Sequence, residues 1–266
     1  MSIKKIAIIL FATINTNAVA EEKPWTISTG LSYRDSNFNL PTNKNSSEYW
    51  STNLSLSRKM NDVTWVGGSI AYNEGNVRYK TLSGRGDTDT TSIGAFVTRN
   101  VSWGLYVTGA LNYGKLDISN KFTSTKFDTD ADYTSASLGL TQYIPLSQNL
   151  MSSLNARYTH ISSNVDSFVT NAGSAVGSSD SSLNFVTLGG RLDYKLQNWT
   201  PYVRLDWHKA SREFIQNTGD EDYFNYGLGA NYAVNTETTI GFSLDSVLEK
   251  RYANETSIGI NLSHRF

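Results

Sequence analysis

Apolar and polar residues alternate along most of this chain. WTISTGLSY places Trp25, Ile27, Thr29, Leu31 and Tyr33 on one face, with Ser28, Gly30 and Ser32 on the other. GLYVTGALNYG sets Leu105, Val107, Gly109, Leu111 and Tyr113 apart from their polar neighbours, and DYFNYGLGANYAV does the same for Phe224, Tyr226, Leu228, Ala230 and Tyr232. Side chains alternate across a strand with period two, so each stretch predicts a strand with one apolar face. Twelve strands follow, near residues 24–35, 47–58, 63–73, 88–98, 103–118, 131–144, 149–162, 182–194, 200–210, 221–233, 238–248 and 255–266.

The connections alternate too. Short turns are expected near Asn61, Asn100, Asn149, Asn198 and Asn235, and longer polar segments such as NFNLPTNKNSS and VDSFVTNAGSAVGSSDS fall between the other pairs, with KRYAN brief. A soluble sandwich has no reason for this rhythm, whereas a membrane barrel has tight turns on one side and long loops on the other. Aromatics gather at two levels: Trp25, Trp65, Trp103 and Trp199 toward the short turns, and Trp50, Tyr72, Tyr113, Tyr158 and Trp207 toward the long loops. Two aromatic girdles around an apolar band predict an all-β fold, a single 12-stranded antiparallel transmembrane β-barrel.

Composition fits this. Aromatics make up 12%, Pro occurs 4 times and Cys not at all, which removes disulfides and thiolate metal sites from consideration. At the N-terminus, Lys4 and Lys5 precede the apolar run Ile6–Ile14, and AVA at 18–20 follows. This pattern predicts a cleaved secretory signal over residues 1–20, too short to span a bilayer as a helix, and a barrel domain over 21–266. Cleavage removes two lysines and no acids, so the mature chain is more acidic than the net −1 of the whole. With no basic block, nucleic acid is not an expected partner.

The chain closes on TSIGINLSHRF, where Ile258, Ile260, Leu262, His264 and Phe266 share a face. A terminal aromatic preceded by alternating apolar positions resembles the C-terminal signature of Gram-negative outer-membrane barrels, which the barrel-assembly machinery recognises. Together with WTPYVRLDWHKA (199–210), this ending is similar to the β-domain of autotransporters. The resemblance implies a bacterial outer-membrane location, both termini periplasmic, with membrane lipid and lipopolysaccharide as surroundings and the assembly machinery as partner. Only Glu21, Glu22 and Lys23 precede the first strand region, so a monomeric barrel without a passenger is expected, with a structural or surface role or a narrow passive pore.

Chemistry-bearing residues concentrate on the later strands. Arg157, Arg191, Asp193, Arg204, Asp206, His208 and Asp245 share inward parity. They predict a ladder of ion pairs stiffening the wall, with a charged constriction that selects small solutes as the alternative. Many other inward positions are small, among them Gly30, Gly67, Gly189, Gly227 and Gly241, which predicts an open lumen. Two hydrolytic arrangements remain as distant alternatives. Asp87 and Asp89 with Asp206 and His208 loosely resemble the paired groups of omptin proteases. His160, Ser162 and Asn184, all outward, are similar to the groups of the outer-membrane phospholipase. Asp128, Asp130 and Asp132 read as a solvated loop rather than a cation site. No cofactor, metal or catalytic residue is expected.

The alternation of connections yields a topology test. Cysteines at Asn45 and Gly173 are expected to react with an impermeant maleimide on intact cells, while cysteines at Asn61 and Asn198 stay unlabelled. The opposite labelling would invert the barrel.

Overall fold

A strand with one apolar and one polar face needs a different solvent on each side. In a bilayer its backbone groups also need partners, because hydrocarbon supplies none. The computed structural model meets both demands by closing the sheet. It describes residues 25–39, 44–211, 222–248 and 253–266; residues 1–24, with the expected signal peptide at 1–20, and residues 40–43, 212–221 and 249–252 lie outside the described residues.

Twelve strands form one closed antiparallel barrel: β1 (Trp25–Asn39), β2 (Lys44–Asn61), β3 (Thr64–Tyr79), β4 (Gly84–Ser102), β5 (Leu105–Lys121), β6 (Lys126–Pro145), β7 (Leu150–Val165), β10 (Ser179–Tyr194), β11 (Trp199–Ala210), β12 (Asp222–Ala233), β13 (Thr238–Leu248) and β14 (Ala253–Arg265). Two short strands, β8 (Phe168–Val169) and β9 (Ala175–Val176), form a hairpin between β7 and β10. Each barrel strand pairs with its neighbours in chain order, and β1 pairs with β14 to seal the ring.

The seam is made where the sequence ends. Trp25 and Phe266 exchange backbone hydrogen bonds at 3.1 and 3.0 Å, so both ends of the described chain meet at the short-turn end. Ile258 and Ile260 face outward opposite Tyr33 and Leu31, and His264 shares a 2.9 Å hydrogen bond with the Thr238 hydroxyl while stacking on Phe266.

Burial is inverted relative to a soluble domain. Among the described residues no large side chain is fully buried, while Leu111, Ile93, Leu138 and Ile258 stand 55–66% exposed on the outer wall. Apolar surface of this kind is stable only against lipid.

The strands run past the predicted ends, mainly on the long-loop side. The expected 88–98 becomes Gly84–Ser102, and 131–144 becomes Lys126–Pro145. Beyond the bilayer both faces of a strand meet water, so apolar alternation stops although the hydrogen-bond ladder continues. A span of about 9–11 residues crosses hydrocarbon, and β4 and β6 at 19 and 20 residues stand well above it. A further difference is at Asn100, expected to centre a turn. There β4 continues through a bulge between Asn100 and Ser102, and the chain reverses at Trp103–Gly104. Gly104 has φ +67, a conformation that suits glycine.

Charge on the seam should block assembly. Ile260→Lys places an ammonium on the lipid face beside the β1–β14 pairing, at a cost of about 2–4 kcal/mol if it lies at mid-bilayer. The heat-modifiable folded band on gels is expected to be lost, and it should also be lost on deletion of Phe266.

Candidate functional site: the lumen wall

Inward parity gathers the predicted charges on one side of the lumen. Arg157 lies on β7, Arg191 and Asp193 on β10, Arg204, Asp206 and His208 on β11, and Asp245 on β13. The wall from β2 to β6 carries neutral polar groups at comparable depth, such as Asn53, Ser69, Asn112 and Ser137.

Two glycines turn these residues into a network. Arg204 and Asp245 sit on strands separated by β12, and the residue between them in register is Gly227. With no side chain in the way, Arg204 Nη2 reaches Asp245 Oδ1 at 2.7 Å. Its Nε lies 3.0 Å from Asp206 Oδ2. One step along the wall, Gly189 separates Asn155 from Asp206, and the Asn155 amide donates to Asp206 Oδ1 across it at 3.3 Å. Asn155, Asp206, Arg204 and Asp245 thereby link β7 to β13 across β10, β11 and β12.

Nearer the short-turn end, Arg191 Nε donates to both Asp193 oxygens at 2.9 and 3.0 Å, and its guanidinium lies 3.6 Å over the Tyr202 ring. Toward the outer end, His208 stacks between Phe185 and Tyr223, with centroids at 5.3 and 4.8 Å, and shares a 3.0 Å hydrogen bond with the Thr187 hydroxyl. Arg157 stands apart. It is exposed to the lumen, and among the described residues no carboxylate lies at ion-pair distance from it. The ladder expected from the sequence therefore holds its other two arginines in ion pairs but leaves Arg157 out.

The small inward positions are not simply open space. A Cβ on Gly67 would collide with the Phe96 ring, one on Gly75 with Tyr49, one on Gly114 with Tyr133 and one on Gly229 with Tyr202. Glycines here let rings from adjacent strands lie flat along the wall, the pairing known as aromatic rescue. The lumen is kept clear by seating large groups rather than by lacking them.

Both mouths are aromatic. Trp65, expected in the inner girdle, shares lumen parity with Gly67 and Ser69 and packs against Tyr106, which meets Tyr143 edge-on. At the outer mouth, Phe168 of β8 stacks on Phe127 at 4.5 Å, in a series continuing through Phe122 to Tyr79. The β7–β10 segment is tied to β6 there: Thr129 Oγ1 donates to the Asp166 carbonyl at 3.1 Å, the Lys126 N–H to Asn171 Oδ1 at 2.7 Å and the Asn171 N–H to the Lys126 carbonyl at 2.9 Å.

The hydrolytic groupings fare differently. Asp87 and Asp89 face outward on β4, whereas Asp206 and His208 face the lumen on β11, five strands round the ring, so the omptin-like set does not assemble. His160 does meet Asn184, Nδ1 to Oδ1 at 2.7 Å, on the outer wall; the Tyr158 hydroxyl donates to the same oxygen at 2.9 Å. Ser162 lies beyond them between Thr134 and Ser182, with no hydrogen bond to the imidazole. Asp128 and Asp132 are engaged by Ser119 and Tyr113, at 2.6 and 2.8 Å. The Ser119 hydroxyl and then Lys126 hold the Asp128 carboxyl below the usual carboxylate range. Among the described residues no group of three or more acidic, His or Cys side chains is arranged to hold a metal ion.

The autotransporter β-domain family model matches residues 22–245. No curated protein matches the sequence. In fold, the chain is similar to the translocator domain of autotransporter NalP from Neisseria meningitidis, with TM-score 0.79, 13% identity, and 98% of this chain and 93% of that one covered. It is also similar to the β-domain of the Bordetella autotransporter Brka, with TM-score 0.77, 15% identity, and 91% and 100% covered. A COG4313 outer-membrane channel from Pseudomonas putida F1 follows at TM-score 0.58, 10% identity, and 95% and 99% covered.

The glycine bridges can be tested by filling one. Gly227→Val is expected to drive Asp245 off Arg204 and lower stability by ~1–3 kcal/mol. Gly177→Ala, where nothing lies within 4 Å, should change it by less than ~0.5 kcal/mol. Urea unfolding from lipid vesicles measures both, and equal stability of the two variants would remove the bridging role.

Proposed function

This chain belongs to the autotransporter β-domain family, whose barrels reside in the bacterial outer membrane, and from that membership we propose that it forms a narrow, water-filled conduit with a charge-paired wall. One observation carries the proposal: the inward face is polar throughout its middle, and its larger side chains are seated flat on glycines instead of interdigitating across the lumen. Eight-stranded barrels are filled by side chains and sixteen-stranded ones enclose wide channels, so twelve strands leave room for a small pore.

Selectivity follows from which charges are paired. Arg191 and Arg204 are offset by Asp193, Asp206 and Asp245, whereas among the described residues Arg157 has no acid at ion-pair distance. Passing anions therefore meet in Arg157 an exposed wall cation that no neighbouring acid offsets, unlike Arg34, which Glu255 pairs at 3.4 Å. The segment 166–178, tied to β6 at the outer mouth, narrows the path. Both termini lie on the periplasmic side in this scheme, with the barrel-assembly machinery meeting the closing strand.

The network across β7 to β13 favours a second role, a stiff surface-exposed scaffold. Planar-bilayer recording separates the two. The purified barrel is expected to give a small conductance that rises when residues 166–177 are deleted. Arg157→Glu should shift ion selectivity toward cations more than Arg191→Glu does. A silent bilayer before and after the deletion would leave the scaffold as the role.

A further inference from the structure

The outer faces of β3 to β6, above the aromatic belt, carry charge in rows. Glu74, Asp89, Asp117 and Asp130 are direct cross-strand neighbours, four carboxylates in succession. Four residues farther out along each strand, past an outward row of Asn76, Asp87, Ser119 and Asp128, Arg78, Arg85, Lys121 and Lys126 form a second charged row, again each opposite the next. Like charges directly opposite in a sheet repel at about 4.5–5.5 Å between Cβ atoms. Among the described residues Lys126 is ion-paired, with Asp128 at 3.2 Å; Arg78, Arg85 and Lys121 have no carboxylate at ion-pair distance. A cleft of about 660 Å³ opens at this tip, lined by Arg78, Arg85, Lys121 and also Lys80. Four cations surround one concavity, and among the described residues three of them face each other with no acid at ion-pair distance, which makes the cleft suited to an anion from outside the chain.

The geometry points to a binding site for the phosphate groups of an outer-leaflet glycolipid bearing a phosphorylated oligosaccharide headgroup. Guanidinium groups hold phosphate bidentately and ammonium groups as point charges, so two Arg and two Lys suit more than one phosphate. The row shares outward parity with Tyr72 and Tyr113 of the belt below, so it faces sideways toward neighbouring lipid rather than up from the loop tips. Height selects the headgroup. Arg78 lies six residues beyond Tyr72 and Lys121 eight beyond Tyr113, which places the row ~15–20 Å above the belt at ~3.3 Å per residue and a ~40° tilt. The headgroup layer of an ordinary phospholipid is about 5–7 Å deep and does not reach it. An oligosaccharide does. The intervening carboxylates, with Asn76 and Ser119 beside them, accept and donate hydrogen bonds to sugar hydroxyls while keeping phosphate off the lower rows.

This inference rests on the chain's being an outer-membrane barrel and not on its conducting ions, so the bilayer recording and the binding experiment fail separately. Folded protein in detergent would be titrated with a glycolipid carrying a phosphorylated oligosaccharide, with the same glycolipid after dephosphorylation, and with heparin as a soluble polyanion. Binding would be read by native mass spectrometry. The wild type is expected to bind the phosphorylated glycolipid at least tenfold more tightly than either other probe. Arg85→Glu/Lys121→Glu should lose that preference while keeping the heat-modifiable folded band, and the milder Arg85→Gln/Lys121→Gln pair tests the same point if charge reversal prevents folding. Equal binding of the dephosphorylated glycolipid, or unchanged binding by a folded variant, would overturn the assignment. Heparin binding as tightly as the glycolipid would overturn the lipid source.

Discussion

Hydrocarbon offers no partner to a peptide group, and that constraint organises everything else in this molecule. It makes closure obligatory and places the whole burden of closure on the pairing of β1 with β14. The hydrogen bonds between Trp25 and Phe266 are therefore more than a terminal contact: they complete the ring. Closure in turn divides every strand into a face for lipid and a face for water. The outward leucines and isoleucines and the inward serines, asparagines and arginines are the chemical record of that division.

A closed wall with a polar inner face must still decide what to do with large inward groups. Here the answer is local flatness. Rings and carboxylates rest over glycines on the neighbouring strand, and hydrogen bonds run along the wall rather than across the lumen. Rigidity and an open path are thus compatible, since the same contacts that tie β7 to β13 also hold their side chains out of the way. Arg157 is the exception, exposed to the lumen with no acid at ion-pair distance among the described residues.

Much of the architecture was legible because the period-two signal is strong wherever one face meets lipid, as from Leu105 to Tyr113 or along the closing strand. It faded where both faces meet water. Hence the alternation stops short of the outer ends of β4 and β6, and Asp128, Asp130 and Asp132 read as loop although they lie on β6. The level of Trp65 along its strand suggests a girdle position, but level does not say which face a residue takes; its parity with Gly67 does. The inward parity of Arg204, Asp206 and Asp245 could be read directly. Their connection could not, because it depends on three strands being in register at once, and nothing in one strand announces what Gly227 lies between.

That glycine bridge makes heredity at these positions a matter of threes. Arg204 and Asp245 are 41 residues apart and never adjacent in the sheet, so neither pairwise strand matching nor chain proximity links them. A larger residue at position 227 would devalue both charges together, and loss of either charge would relax the demand for glycine. Effects of substitution at the three sites should therefore be non-additive despite the strand between them. Drift in related chains is expected to move the trio as one heritable unit, exchanged together or retained together.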